Sequence, residues 1–159
     1  MPAPANPRSL SLEHFIPYRL SVLANTVSSA LAGAYARRFG LTIPQWRVIA
    51  VLARVPGLSA ADVAERTAMD KVAVSRAVMG LTRAGRVSRT LAASDKRRSV
   101  LSLTARGQAV YRRIVPLALA YERRLLAELS PAEQSQFEKL LLRLQKRSWQ
   151  LGPARDARV

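Results

Sequence analysis

The side chains able to do chemistry in this sequence are mainly cations, and their densest set comes after a helix start. Asp70 suits a helix N-cap, because its carboxylate can accept from the open backbone N–H groups one turn on. After it, Val74, Val78 and Leu81 recur at i, i+4 and i+7 with Ala77 beside them, one apolar stripe on a helix. Lys71, Val72, Ala73, Ser75 and Arg76 fall off that stripe at its N-terminal end, towards solvent or a partner. Further on come Arg83, Arg86, Arg89, Lys96, Arg97 and Arg98, opposed only by Asp95. Charges this dense match a polyanion. Asp95 and Arg97 can form an exposed ion pair worth little, or Asp95 can hold an arginine facing a phosphate or the minor groove. Catalysis finds no comparable set. His14 is the only histidine and sits beside Phe15 near a helix start, a surface or pocket-rim place rather than a general base. There is no Gly-x-Ser-x-Gly, no glycine-rich phosphate loop, no matched acidic pair and no cysteine. The chain is expected to be no enzyme and to carry no metal and no cofactor.

The elements that must position these cations are short. Ser59 and Asp62 make a capping box for a helix that turns Val63 and Ala64 inward. The link Thr67-Ala68-Met69 joins it tightly to the helix after Asp70, and Gly85 closes that second helix as a left-handed C-cap. Two helices joined this closely read as a helix-turn-helix or as an ordinary packed pair. The residues after Gly85 favour the helix-turn-helix. Val87–Leu91 and Ser99–Leu103 alternate with the period of half-buried strands, and the tip between them is polar and basic. A basic hairpin directly after a helix-turn-helix is a wing.

Composition agrees. At 159 residues and 49% hydrophobic the chain can bury a core, and its net charge of +16 implies a polyanionic partner or an anionic surface. No apolar run approaches the roughly 20 residues needed to span a membrane, and the start Met-Pro-Ala-Pro lacks a signal-peptide core. The expected location is the cytoplasm, with no membrane partner.

Around the central module the spacing predicts long helices. The first runs from Ser11 to Arg38 with Pro17 in its first turns and Leu20, Leu23, Val27, Leu31 and Tyr35 on its apolar face. Gly40 ends it, and Thr42-Ile43-Pro44-Gln45 opens the next, which turns Trp46, Ile49, Ala50 and Ala53 inward until Pro56-Gly57. Thr104 caps a helix reaching Leu129, kinked at Pro116. Ser130-Pro131-Ala132-Glu133 starts the last, which carries Phe137, Leu140, Leu141 and Leu144 and ends near Trp149.

The set Asp70, Val74, Ser75, Arg76, Leu81, Gly85, Val87, Asp95, Arg97, Arg98, Leu103, Thr104 and Gly107, in this order, resembles the MarR family of winged-helix transcription regulators. The resemblance covers roughly Phe15 to Trp149. It implies a mainly α fold with a small β-hairpin wing, a winged helix-turn-helix with N- and C-terminal dimerisation helices. The parts would be a disordered tail (1–10), a first dimerisation and pocket helix (11–40), the DNA-binding module (41–103), C-terminal dimerisation helices (104–150) and a second tail (151–159). It implies a homodimer on a palindromic operator in double-stranded DNA. Arg76, Ser75 and Ala73 would reach base edges; Lys71, Arg97 and Arg98 would meet backbone or minor groove, among the further DNA-binding residues Arg83, Arg86, Arg89 and Lys96, with Asp95 holding an arginine. The runs His14–Arg19 and Met69–Arg76 resemble a branch tied to aromatic-acid catabolism. Its effector, an aromatic acid or acyl-CoA, would lie near Tyr18, Arg19, Asn25, Ser29, Trp46, Arg47 and Tyr111, although the aromatic residues could equally be core. The competing reading is a sequence-indifferent, architectural winged helix without a ligand. Two places depart from the family pattern. Met79-Gly80 stands where relatives carry polar residues, so the later half of the recognition helix is expected to contact DNA less. Arg86 stands where they carry an apolar one, and it either meets a phosphate or is solvated.

Overall fold

Five of the six helices in the described residues begin at a side chain that accepts a backbone N–H one turn ahead. The computed structural model describes residues 10–91 and 99–152. Thr42 starts α2 (Ile43–Arg54), Ser59 starts α3 (Ala60–Thr67), and Asp70, accepting from Ala73 N at 2.8 Å, starts α4 (Lys71–Arg83). Thr104 accepts from Gly107 N at 3.1 Å at the head of α5 (Ala105–Leu125), and Ser130 starts α6 (Pro131–Leu151). Thr42, Ser59 and Ser130 each complete a capping box.

The exception is α1 (Ile16–Phe39), whose N-cap Phe15 makes no side-chain hydrogen bond. Its start corrects the expected Ser11. Beginning there would bury Pro17 in the second turn, where its missing N–H and its ring break the helix. Instead a turn forms, with His14 N donating to Ser11 O and Phe15 N to Leu12 O, and Pro17 sits in the first turn. Two other ends move as well. α5 stops at Leu125, not Leu129, because the Gln134 amide takes the Leu126 and Leu129 carbonyls at 3.1 and 2.9 Å. α6 runs to Leu151, past the expected Trp149. Pro116 lies inside α5 without ending it.

The chain divides into two compact units, Met1–Ala118 and Leu119–Val159. In the first, α2, α3 and α4 pack on one another and on the hairpin β1 (Val87–Leu91) and β2 (Ser99–Leu103). The strands pair antiparallel from Val87↔Leu103 to Leu91↔Ser99. A further bridge, Leu58↔Leu101, ties the hairpin base to the segment before α3. The core joins Val63 and Ala64 of α3 and Val74, Ala77, Val78 and Leu81 of α4 to Val87, Leu101, Tyr35 and Ile114. From α2 it takes Val48, Ile49 and Leu52; Trp46, Ala50 and Ala53 are half-buried, since the helix is clasped on the adjacent stripe. Removing one such large side chain from water stabilises by about 1.5–3 kcal/mol. The second unit holds the end of α5 and all of α6, where no residue is buried and Phe137, Leu140, Leu141 and Leu144 stand exposed.

Candidate nucleic-acid interface

α4 is fixed at both ends. Asp70 closes the first turn, and the Arg86 N–H reaches Leu81 O while the Gly85 N–H reaches Thr82 O, with Gly85 left-handed at φ 66°. The turn before it is equally tight. Ala68 takes the left-handed region at φ 51°, and Thr67 Oγ1 donates to Val63 O at 2.6 Å. With its inner stripe buried, α4 turns Lys71, Val72, Ser75, Arg76, Met79 and Arg83 outward. Ala73 is half-buried, its N–H taken by Asp70. The helix therefore offers one ammonium, two guanidiniums and a hydroxyl on its outward side, while its N-terminus is taken by the Asp70 carboxylate.

Gly80 lies off that face. A Cβ there would come 2.5 Å from Gln45 Nε2, so the glycine admits the head of α2, and only Met79 of the pair faces outward. On the hairpin Arg89 is exposed and its Nε donates to Ser99 Oγ. Asp95, Lys96, Arg97 and Arg98 lie outside the described residues, as do the tails 1–9 and 153–159.

Arg86 takes neither expected place. Its side chain turns inward, half-buried, and Nη2 donates to Phe39 O at 2.6 Å. Burial, and then the charge of Arg106, lower its pKa. The sequence showed an arginine after a C-cap glycine. It could not show a carbonyl 47 residues away.

The expected ligand residues divide. Trp46 stacks with Tyr111 at 6.0 Å and 22° and meets Tyr35 at 5.6 Å. Beside them Arg47 Nη2 donates to Ser28 Oγ at 3.1 Å. Tyr35, buried, is pushed up in pKa by desolvation against the opposing charge of Arg47. Trp46, Arg47 and Tyr111 thus come together, and Tyr35 and Ser28 join them. Tyr35 was legible as part of the apolar spacing of α1, but Ser28 was one of many small residues. Tyr18, Arg19, Asn25 and Ser29 are exposed, and Tyr18 lies ten residues before Ser28, about 15 Å along the helix. Among the described residues no group of His, Cys, Asp and Glu could hold a metal, and no helix is long and apolar enough to cross a membrane.

Residues 39–98 match the model of the MarR family. An HTH-type transcriptional repressor of Mycobacterium tuberculosis is 33% identical over 131 residues, 82% of this chain and 91% of the repressor. The homoprotocatechuate degradative operon repressor of Escherichia coli is 30% identical over 66% of this chain and 71% of its own length. The crystal structure of the PcaV transcriptional regulator of Streptomyces coelicolor, in complex with its natural ligand, is 28% identical with a TM-score of 0.73, covering 87% of this chain and 96% of that one. These relatives are transcription regulators and not enzymes, as the sequence led us to expect, and the capped recognition helix and hairpin are the family's architecture. The chain belongs to the MarR family of winged helix-turn-helix transcription regulators.

Proposed function

We propose that the chain is a homodimeric repressor that holds a palindromic operator and releases it when a small aromatic acid or its coenzyme A thioester binds. The observation that carries the DNA half is the outward face of α4, where Lys71, Ser75 and Arg76 stand on a helix capped at both ends. Arg76 would read a guanine edge, worth about 1–3 kcal/mol of discrimination, with Ser75 and Ala73 beside it. Lys71, Arg83, Arg89, Lys96, Arg97 and Arg98 would serve the phosphates or the minor groove, with Asp95 holding an arginine in place for that contact. Arg86 has left that set.

The dimer reading rests on two uncovered apolar faces. Ile16, Tyr18, Leu20 and Leu23 are exposed on α1, and Phe137, Leu140, Leu141 and Leu144 on α6. A two-fold pair would cover them and set two recognition helices about 34–36 Å apart, one DNA turn. The effector reading rests on Tyr35, Trp46 and Tyr111 beside the Arg47–Ser28 pair, a planar apolar lining with few polar anchors. Tyr18, Arg19, Asn25 and Ser29 would enter where a partner protomer closes on α1. The similar repressor of a homoprotocatechuate operon, and PcaV with its natural ligand, favour an aromatic signal.

Selection from random duplex DNA tests the first half. A palindromic consensus with half-sites one turn apart is expected, lost at one position in Arg76→Ala. Recovery of no consensus would favour a sequence-indifferent nucleic-acid-binding protein. Titrating benzoates, hydroxycinnamates and their thioesters against the selected complex tests the second half. Undiminished binding at millimolar ligand would discard the effector.

A further inference from the structure

We infer that Arg86 is a positioning residue for DNA binding: it caps the C-terminal end of α1 from across the fold and ties that end to the recognition helix and the wing. The inference rests on the proposal that this chain binds DNA. Phe39 is the last residue of α1, so its carbonyl is one of the four that the helix leaves without an internal partner. It also lies at the negative end of the helix dipole. Gly40 turns the chain away in the left-handed region. Arg86 Nη2 fills the vacant place at 2.6 Å with a charge-assisted bond.

The backbone of the same residue is bonded in two more directions. Its N–H takes Leu81 O at 2.9 Å and completes the C-cap of α4, and its carbonyl accepts from Thr104 N at 3.1 Å at the head of α5. Arg86 directly precedes β1. One residue therefore joins the ends of α1 and α4 and the starts of β1 and α5. Phe39 is held from other sides too, since the guanidiniums of Arg113 and Arg38 lie 5.1 and 5.6 Å from its ring centre. A phosphate contact would need the guanidinium in solvent. Here it is half-buried, with Nε fully enclosed. The bond from Nη2 to the helix end offsets part of that desolvation, while Nε stays buried without a hydrogen-bond partner among the described residues. Removing the side chain should let the wing and the end of α4 shift against α1 without removing any charge from DNA.

The test compares full-length wild type with Arg86→Met, which keeps the bulk of the chain, and Arg86→Lys, which keeps one charged donor. In free protein, amide exchange at Gly85, Arg86 and Val87 should quicken in the methionine variant and partly recover in the lysine variant. On the selected operator the methionine variant should bind roughly tenfold more weakly, the loss of one charged hydrogen bond. The slope of log affinity against log salt should stay that of wild type, with partial rescue by lysine. A slope shallower by about one unit would make Arg86 a phosphate contact and overturn the inference. So would unchanged affinity, or unchanged exchange. Where the methionine variant does not fold, the lysine variant decides on the same readings. Should wild type select no operator, the repressor reading fails alone, and exchange in the free protein still decides whether Arg86 ties these elements.

Discussion

Substituting Gly107 by alanine should loosen the joint between wing and α5. A Cβ at Gly107 would stand 2.1 Å from Arg86 O, 3.1 Å from Arg86 C and 3.3 Å from Leu103 Cδ2. Ordinary C···O contacts lie near 3.3–3.6 Å, so the backbones must part by about 1 Å. The obstacle is a backbone carbonyl that already accepts from Thr104 N at 3.1 Å, and it cannot swing aside as a side chain would. Overpacking of this kind costs roughly 1–3 kcal/mol, and weakening the Thr104 bond adds about 0.5–1.5 kcal/mol. Alanine's better helix propensity returns about 1 kcal/mol. The net expectation is a loss of roughly 0.5–3.5 kcal/mol, or about 1–14 °C in Tm for a chain of this size. Thermal unfolding followed by circular dichroism reads it, with protein concentration held fixed because association would raise Tm. A Tm equal to or above that of wild type would refute the close approach, since propensity alone would then have decided the outcome.

Local geometry sets three further outcomes. Asp70→Ala should cost about 1 kcal/mol by freeing the Ala73 N–H, while Asp70→Asn should cost little; equal losses in denaturant unfolding would show that the cap is not the reason. Ala68→Gly should raise stability by up to about 1 kcal/mol, because Cβ strains the left-handed turn between α3 and α4, and a fall of that size would contradict the strain. The carboxyl of Glu133 is held below the ordinary carboxylate range, first by the Ser130 hydroxyl and then by the Ser130 N–H. A lowered pKa makes its contribution present above the unfolded value and lost as pH falls through the folded one. Exchange of the Ser130 amide should therefore quicken in acid, and Glu133→Gln should remove that pH dependence.

Features confined to one helical turn or one strand were legible in the order of residues alone. The capping boxes at Thr42, Ser59 and Ser130, the N-cap Asp70, the left-handed Gly85 and the two hairpin strands all stand where their spacing placed them. Each is signalled by residues three or four apart, or by alternation, so its place can be read from local order even though packing stabilises it. Tertiary structure decided the rest. The start of α1 turned on where Pro17 could be tolerated, and the end of α5 on an amide from the next helix. Gly80 proved to admit Gln45, Gly107 to admit the Arg86 carbonyl, and Leu58 to bridge Leu101. Arg86 itself looked like a surface cation. Its role depends on the open carbonyl of Phe39, and only folding brings together groups so far apart along the chain.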